Sequence, residues 1–170
     1  MNIKQISVIC YGNIARSQIL GIYLNKFLKE VGIKNIEVYS AGTAPYEAYP
    51  DTPIRMREVE KKLIDRGVNV KPKRNYWTEE VRKKLESSDI ILVADEARKK
   101  DILDRLGNKI PKDTIYKFYE FIDREDKDFE DTYDYEKRCQ DPIRFEKCFE
   151  ELERIARKIV DKIKPNMSVK

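Results

Sequence analysis

Ile6–Ser17 reads ISVICYGNIARS, and the change of character inside that stretch sets the fold. Up to Ile9 the chain is apolar and β-branched, which predicts a short buried strand over Ile3–Ile9. Cys10-Tyr11-Gly12-Asn13 then breaks the pattern. From Ser17 onward Ile19, Leu20, Tyr23, Leu24, Phe27, Leu28 and Val31 recur at helical spacing, and Gly32 is placed as a C-terminal cap. A strand, a tight loop and a helix follow one another directly.

The alternation continues downstream. Ile36–Ser40 (IEVYS) reads as a second strand, followed by Ala41-Gly42-Thr43 and a loop rich in Pro and Tyr. Thr52-Pro53 opens a helix that runs to the vicinity of Gly67, with Pro at the favoured first position. A short amphipathic helix over Glu79–Leu85 follows Thr78, and Asp89–Ala94 (DIILVA) is apolar enough for a central strand buried on both faces. Ala97–Leu106 reads as a helix and Thr114–Phe118 as a fourth strand. Residues 120–136 carry Asp and Glu almost throughout and predict a long exposed loop; helical spacing returns over Ile143–Ile163. This order predicts one α/β domain over residues 1–170, with a parallel sheet and helices on both faces. In such sheets ligands bind at the carboxyl ends of the strands, and Cys10 stands at the first of these.

Composition removes most alternatives. With 170 residues, 41% hydrophobic and 10% aromatic, the chain is neither disordered nor too short for a core. Charged residues reach 39%, yet the net charge is only +4 and the basic residues are scattered among acidic ones, so nothing marks a nucleic-acid surface. There are 0 histidines, which excludes Ser-His-Asp and Cys-His nucleophile systems and His-ligated metals. Cys10, Cys139 and Cys148 are odd in number and contain no CxxC pair, as expected of reduced thiols in a cytoplasmic chain. No apolar run approaches the ~20 residues of a membrane span, and the first residues lack the marks of a signal peptide.

Chemistry concentrates at Cys10. The start of a helix and the neighbouring Arg16 both favour a thiolate, the reactive form. Backbone N–H groups of residues 11–16 can turn inward to cradle an oxyanion, with Gly12 supplying the conformational freedom. Arg16 adds a planar fork that matches two phosphate oxygens. Thiolate, amide nest and guanidinium together suit phosphoryl transfer through a covalent intermediate. Ser17 is open to two readings, as a helix N-cap or as a hydroxyl donor to the thiolate. Asn13 is either a left-handed turn residue or a brace for the loop. Cys148 and Arg154 share the spacing of Cys10 and Arg16, but FEELE lies between them in a helical pattern, so Cys148 reads as a core residue. A leaving group also needs a proton, and without His the donor must be a carboxylic acid. Asp128, Asp131 and Asp134 are available in the acidic segment. Asp141 stands out because Pro142 fixes the backbone after it, although an Asp-Pro pair is equally a plain helix start with Asp141 as its N-cap.

ISVICYGNIARS resembles the signature V-C-x-G-N-x-C-R-S of the low-molecular-weight protein tyrosine phosphatase family, and Ser40-Ala41-Gly42-Thr43, DIILVAD at 89–95 and Asp141-Pro142 match in the family's order. The resemblance covers roughly 1–160 and implies a four-stranded parallel α/β fold with a phosphate-binding loop after the first strand. It implies Cys10 as nucleophile, Arg16 as phosphate clamp, Asn13 and Ser17 as loop supports and Asp141 as general acid. Substrate would lie against Tyr11, Gly12, Asn13, Ile14, Ala15 and Ser17. Neither metal nor cofactor is implied; phosphorylated proteins would be the substrates and inorganic phosphate a product, with no membrane partner.

Several positions depart from the family. Ala15 replaces a second Cys that many members carry; Cys139, two residues before Asp141, is either a substitute partner for Cys10 or a plain surface or half-buried thiol. Ile143 and Arg144 follow Asp-Pro where aromatics are usual, so Tyr11, Tyr46, Tyr49 or Phe145 are the candidates for a pocket wall. Tyrosine-directed relatives tend to have a bulky apolar residue at position 14 and arginine phosphatases Thr, so Ile14 leans toward phosphotyrosine. Gln18 after Arg-Ser is similar to arsenate reductases of the same fold, which use two further mid-chain cysteines that this chain lacks between 10 and 139. The expected activity is thus a protein tyrosine phosphatase. Phosphoarginine hydrolysis, arsenate reduction and a non-catalytic phosphate-binding module are the alternatives.

Overall fold

A computed structural model describes residues 3–46 and 51–164. Its centre is a four-stranded sheet of β1 (Gln5–Cys10), β2 (Glu37–Gly42), β3 (Ile90–Val93) and β4 (Ile115–Lys117). The spatial order is β2-β1-β3-β4 and every pair is parallel. The register sets Cys10 beside Gly42 and Ile9 beside Val93, so three strands deliver their carboxyl ends to one place.

Helices cover both faces: α1 (Arg16–Glu30), α2 (Thr52–Asp65), α3 (Glu79–Glu86), α4 (Glu96–Leu106), α5 (Phe118–Asp123) and α6 (Pro142–Ile163). Alternation along β1 sends Ile6, Val8 and Cys10 to one side, where Leu20, Tyr23 and Phe27 of α1 and Phe149, Leu152 and Ile155 of α6 are buried with them. Ile9 points the other way, with Ile91 and Val93, into a second core closed by Val81 and Leu85 of α3 and Ile102 and Leu106 of α4. Each fully buried side chain of this size stabilises the fold by about 1.5–3 kcal/mol, so the two cores hold the sheet ends rigidly. No helix among the described residues is long and apolar enough to cross a membrane.

The acidic segment differs from its expected form. α5 begins at Phe118 and occupies residues thought to open an exposed loop; at six residues it is too short to show a helical period. Phe129 and Thr132 are buried, and a small antiparallel hairpin of β5 (Tyr133–Asp134) and β6 (Cys139–Gln140) follows. Lys117, itself only 4% exposed, brings its Nζ to 2.5 Å from Asp126 and 2.9 Å from Asp128. A buried cation therefore ties this segment to the sheet. The phenylalanine N–H of residue 129 donates to the Ala94 carbonyl at 2.7 Å, which brings Asp131 to the end of β3.

Candidate active site

The loop between β1 and α1 turns its carbonyls outward. The Cys10 carbonyl accepts from Thr43 N at 3.2 Å, that of Tyr11 from Ala44 N at 2.9 Å, and that of Gly12 from Arg74 Nε at 2.8 Å. Because each trans peptide sets its N–H opposite its C=O, the amides of residues 11, 12 and 13 face the interior. The Asn13 amide does so visibly, donating to Cys10 Sγ at 3.2 Å. Ser17 Oγ lies 3.0 Å from the same sulfur. Asn13 Nδ2 donates to Ser17 Oγ at 2.8 Å, which leaves the serine proton for Sγ at 3.0 Å or for the Ala41 carbonyl at 3.5 Å. The cap position of α1 is Ala15, which offers no side-chain bond, and Ser17 sits inside the helix. Its hydroxyl faces the sulfur and the end of β2, not the helix start.

Residues distant in sequence brace this loop. Asn13 is left-handed at φ 51°, and its Oδ1 accepts from Asn75 N at 2.7 Å and Gln18 Nε2 at 3.2 Å, which fixes the amide's orientation. Both readings of Asn13, turn former and brace, hold together. Gln18 also donates to the Lys73 carbonyl, giving it a scaffold role. A Cβ at Gly42 would fall on the Tyr11 carbonyl oxygen and lie 2.9 Å from the Gly12 carbonyl carbon, so β2 can approach the loop only with glycine there. Asn75 and Arg74 carry no sequence signal, since nothing local marks a residue whose partners lie some sixty positions away.

Arg16 is 3% exposed. One terminal nitrogen donates to Asp95 Oδ2 at 2.9 Å and to the Phe129 carbonyl at 3.1 Å; the other donates to Asp131 Oδ2 at 3.1 Å. Burial opposes its charge, but Asp131, Cys10 and Asp95 outweigh that and hold its pKa above the usual value. Asp95 has a second duty as the N-cap of α4, accepting from Arg98 N at 2.8 Å. The cavity over Cys10 is lined by Cys10, Tyr11, Gly12, Ile14, Ala15, Arg16, Arg55, Asp131 and Thr132. Asn13 and Ser17 are absent from that lining and lie behind the loop as supports.

Asp141 is not at this cavity. Its carboxylate caps α6, accepting from Ile143 N and Arg144 N at 2.9 Å each, and its own N–H donates to the Thr132 carbonyl at 2.8 Å. The Asp-Pro pair is here the start of a helix, the competing reading of the same two residues. The carboxylate at the cavity is Asp131, oriented by Tyr133 N at 3.1 Å and the Tyr135 hydroxyl at 3.1 Å. Crowding with other acids hid it in the sequence; the buried Phe129 and Thr132 on either side were the only local sign. The arrangement can hold a tetrahedral oxyanion against amides and guanidinium, with the Cys10 sulfur below it and the Asp131 carboxyl group at the rim.

A family model for low molecular weight phosphotyrosine protein phosphatases matches residues 5–169. The chain belongs to this family. It is accordingly a phosphatase of the cysteine-based type. No curated protein sequence is significantly similar. Among solved structures, the YwlE arginine phosphatase from Geobacillus stearothermophilus aligns at 21% identity over 96% of this chain and 94% of its own, with TM-score 0.73. A YwlE cysteine-to-serine mutant with a phosphorylated active-site serine aligns at 20% identity over 96% and 97%, with TM-score 0.76. A low molecular weight phosphotyrosine phosphatase from Vibrio cholerae O395 aligns at 24% identity over 96% and 98%, with TM-score 0.73. At these identities the likeness establishes the fold, the four-stranded parallel sheet expected from the sequence.

In this phosphatase the other expected pocket residues fall in different places. Tyr11 lines the cavity, its ring 4.8 Å beneath the Arg98 guanidinium. Phe145 is a core residue packed edge-on to Phe149, and Tyr46 is 63% exposed against Tyr76. Tyr49 lies outside the described residues. The aromatics lacking after Asp141 are found instead beside Asp131, as Tyr133 and Tyr135. Cys148 is buried in α6, and burial pushes its thiol up to about 12. Cys139 is exposed on β6, and neither it nor Cys148 lines the cavity over Cys10.

Proposed function

We propose that this phosphatase hydrolyses phosphotyrosine in proteins through a cysteinyl-phosphate on Cys10, with Asp131 as general acid and base in place of Asp141. The observation that carries it is the shared cavity of Cys10 Sγ, inward amides, Arg16 and Asp131. The Cys10 thiolate attacks phosphorus in line, and the S–P bond forms as the P–O bond to the leaving group breaks. Arg16 and the loop amides hold the three non-bridging oxygens, which carry the charge of the transition state. Asp131 gives its proton to the departing phenolate oxygen. The resulting carboxylate then takes a proton from water, whose oxygen attacks phosphorus and returns Cys10 as thiolate with release of inorganic phosphate. Ser17 donates to the sulfur throughout and stabilises it as a leaving group in this second step.

Tyr11 and Ile14 in the lining suit an aromatic ring. Arsenate reduction would need a resolving thiol, and Cys139 and Cys148 both lie away from the cavity. The test is phosphate release from a phosphotyrosine peptide and a phosphoarginine peptide, without added metal, for the wild type and Cys10→Ser. Cys10-dependent release favouring phosphotyrosine is expected. A preference for phosphoarginine would refute the substrate assignment, and no release from either would leave a phosphate-binding module.

A further inference from the structure

Arg55 has no mark in the sequence, yet it lines the phosphatase cavity with Cys10, Arg16 and Asp131. It lies in the first turn of α2 and is 5% exposed. Its guanidinium stacks 4.6 Å from the centroid of Tyr133 and donates to Gln140 Oε1 at 3.4 Å. These contacts hold it in the wall as a fixed charge. It also borders a second cavity, between α2 and the hairpin, lined by Ile54, Glu58, Lys62, Pro142 and Phe145. The guanidinium therefore forms the partition between that cavity and the reacting sulfur.

The balance of charge gives it a task. Arg16 already faces Asp95 at 2.9 Å and, until Asp131 takes up the proton it later donates, that carboxylate at 3.1 Å, so a phosphomonoester dianion nearing the Cys10 thiolate meets a cation already partly neutralised. Arg55 brings a second, buried guanidinium to the cavity lining. We propose that Arg55 is a second phosphate-binding side chain and sets the charge preference of the site. It favours dianionic monoesters on a neutral aryl group. It disfavours phosphoguanidines, whose leaving group carries its own positive charge beside the phosphoryl group. The proposal rests on the phosphatase reading above and assigns the residue that enforces it.

The competing role is mechanical: through Tyr133, Arg55 would merely steady the hairpin that orients Asp131. The full chain is therefore compared as wild type, Arg55→Gln, Arg55→Met and Tyr133→Leu. Inhibition by inorganic phosphate is measured along with kcat and KM on p-nitrophenyl phosphate, a phosphotyrosine peptide and a phosphoarginine peptide. Both Arg55 variants are expected to weaken phosphate inhibition on the order of tenfold, the scale of one charge-assisted contact, and to lower the phosphotyrosine-to-phosphoarginine ratio of kcat/KM by a similar factor. Tyr133→Leu removes the ring beneath Arg55 but no charge, so it should weaken phosphate inhibition clearly less than either Arg55 variant does. Unchanged inhibition in the Arg55 variants overturns the proposal. So does an equal rise in Tyr133→Leu, which would make Arg55 a positioning residue. Should both neutral variants fail to fold, Arg55→Lys decides: inhibition near the wild-type value supports the charge role, and a loss beyond about tenfold refutes it. Absence of Cys10-dependent turnover on every substrate would defeat the phosphatase reading separately, while direct titration of phosphate into the same variants would still read Arg55.

Discussion

Exchanging one carboxylate at a time separates the two aspartates. Asp131→Asn keeps the shape at the rim but removes the proton, and general acid catalysis typically contributes roughly 10²–10⁴-fold. We expect kcat on phenyl phosphate or a phosphotyrosine peptide to fall by roughly a hundredfold or more. On an activated aryl ester, whose phenolate leaves unaided, the fall should be about tenfold or less. Binding should suffer little, because Arg16 keeps Asp95 at 2.9 Å and the Phe129 carbonyl at 3.1 Å when Asp131 loses its charge. Asp141→Asn acts elsewhere: it weakens two cap bonds of 2.9 Å at the start of α6. Asn still caps a helix, so only the carboxylate's charge at the helix start is lost, which costs about 0.3–1 kcal/mol of stability and lowers Tm by roughly 1–4 °C, with no change in leaving-group dependence. Steady-state kcat across aryl phosphates of graded leaving-group pKa, with a thermal melt of each variant, reads both effects. If Asp141→Asn steepens the dependence and Asp131→Asn does not, the acid has been misassigned here.

Lys117→Met should reproduce the Asp131→Asn pattern in weaker form, since the pairs with Asp126 at 2.5 Å and Asp128 at 2.9 Å anchor the segment that carries Asp131. The carboxylates are more than half exposed, so each pair contributes only about 0.2–1 kcal/mol; equal losses on activated and poor leaving groups would contradict this positioning role. Cys148 makes an alkaline prediction. Its thiol ionises near 9.0 in the unfolded chain and about 12 when buried, so the folded state retains the proton longer and stability declines as pH rises from the lower value toward the higher. Cys148→Ala should flatten that decline in denaturant melts between these pH values, and an unaltered slope would exclude Cys148 as its source.

The order of elements was readable because β1, β3 and α6 carry long, consistent periods: alternation or continuous burial in the strands, and 3.6-residue spacing from Phe145 to Ile163. Cys10 and Arg16 were readable for a related reason, since the strand end, the glycine and the helix start that define their loop are neighbours in sequence. Local chemistry could not resolve Asp141. Asp-Pro before a helix has one appearance whether the carboxylate caps that helix or protonates a substrate, and only the position of α6 relative to Cys10 separates the two. The segment over 120–136 looks like plain solvated loop in the sequence because acidic residues appear solvated unless their cation is seen, and Lys117 reaches them from the end of β4.

What the amino-acid order determined by itself was a parallel sheet with an anion-binding thiol loop at the end of its first strand, because each part is built from residues within one turn of one another. What tertiary structure alone decided was the company the loop keeps. Asn75 and Arg74 brace it, Asp95 and Asp131 charge-balance Arg16, and Arg55 joins its wall. These side chains come from four separate elements or connections, and only closure of the sheet and packing of the hairpin bring them within hydrogen-bond distance of one another or of the same cavity.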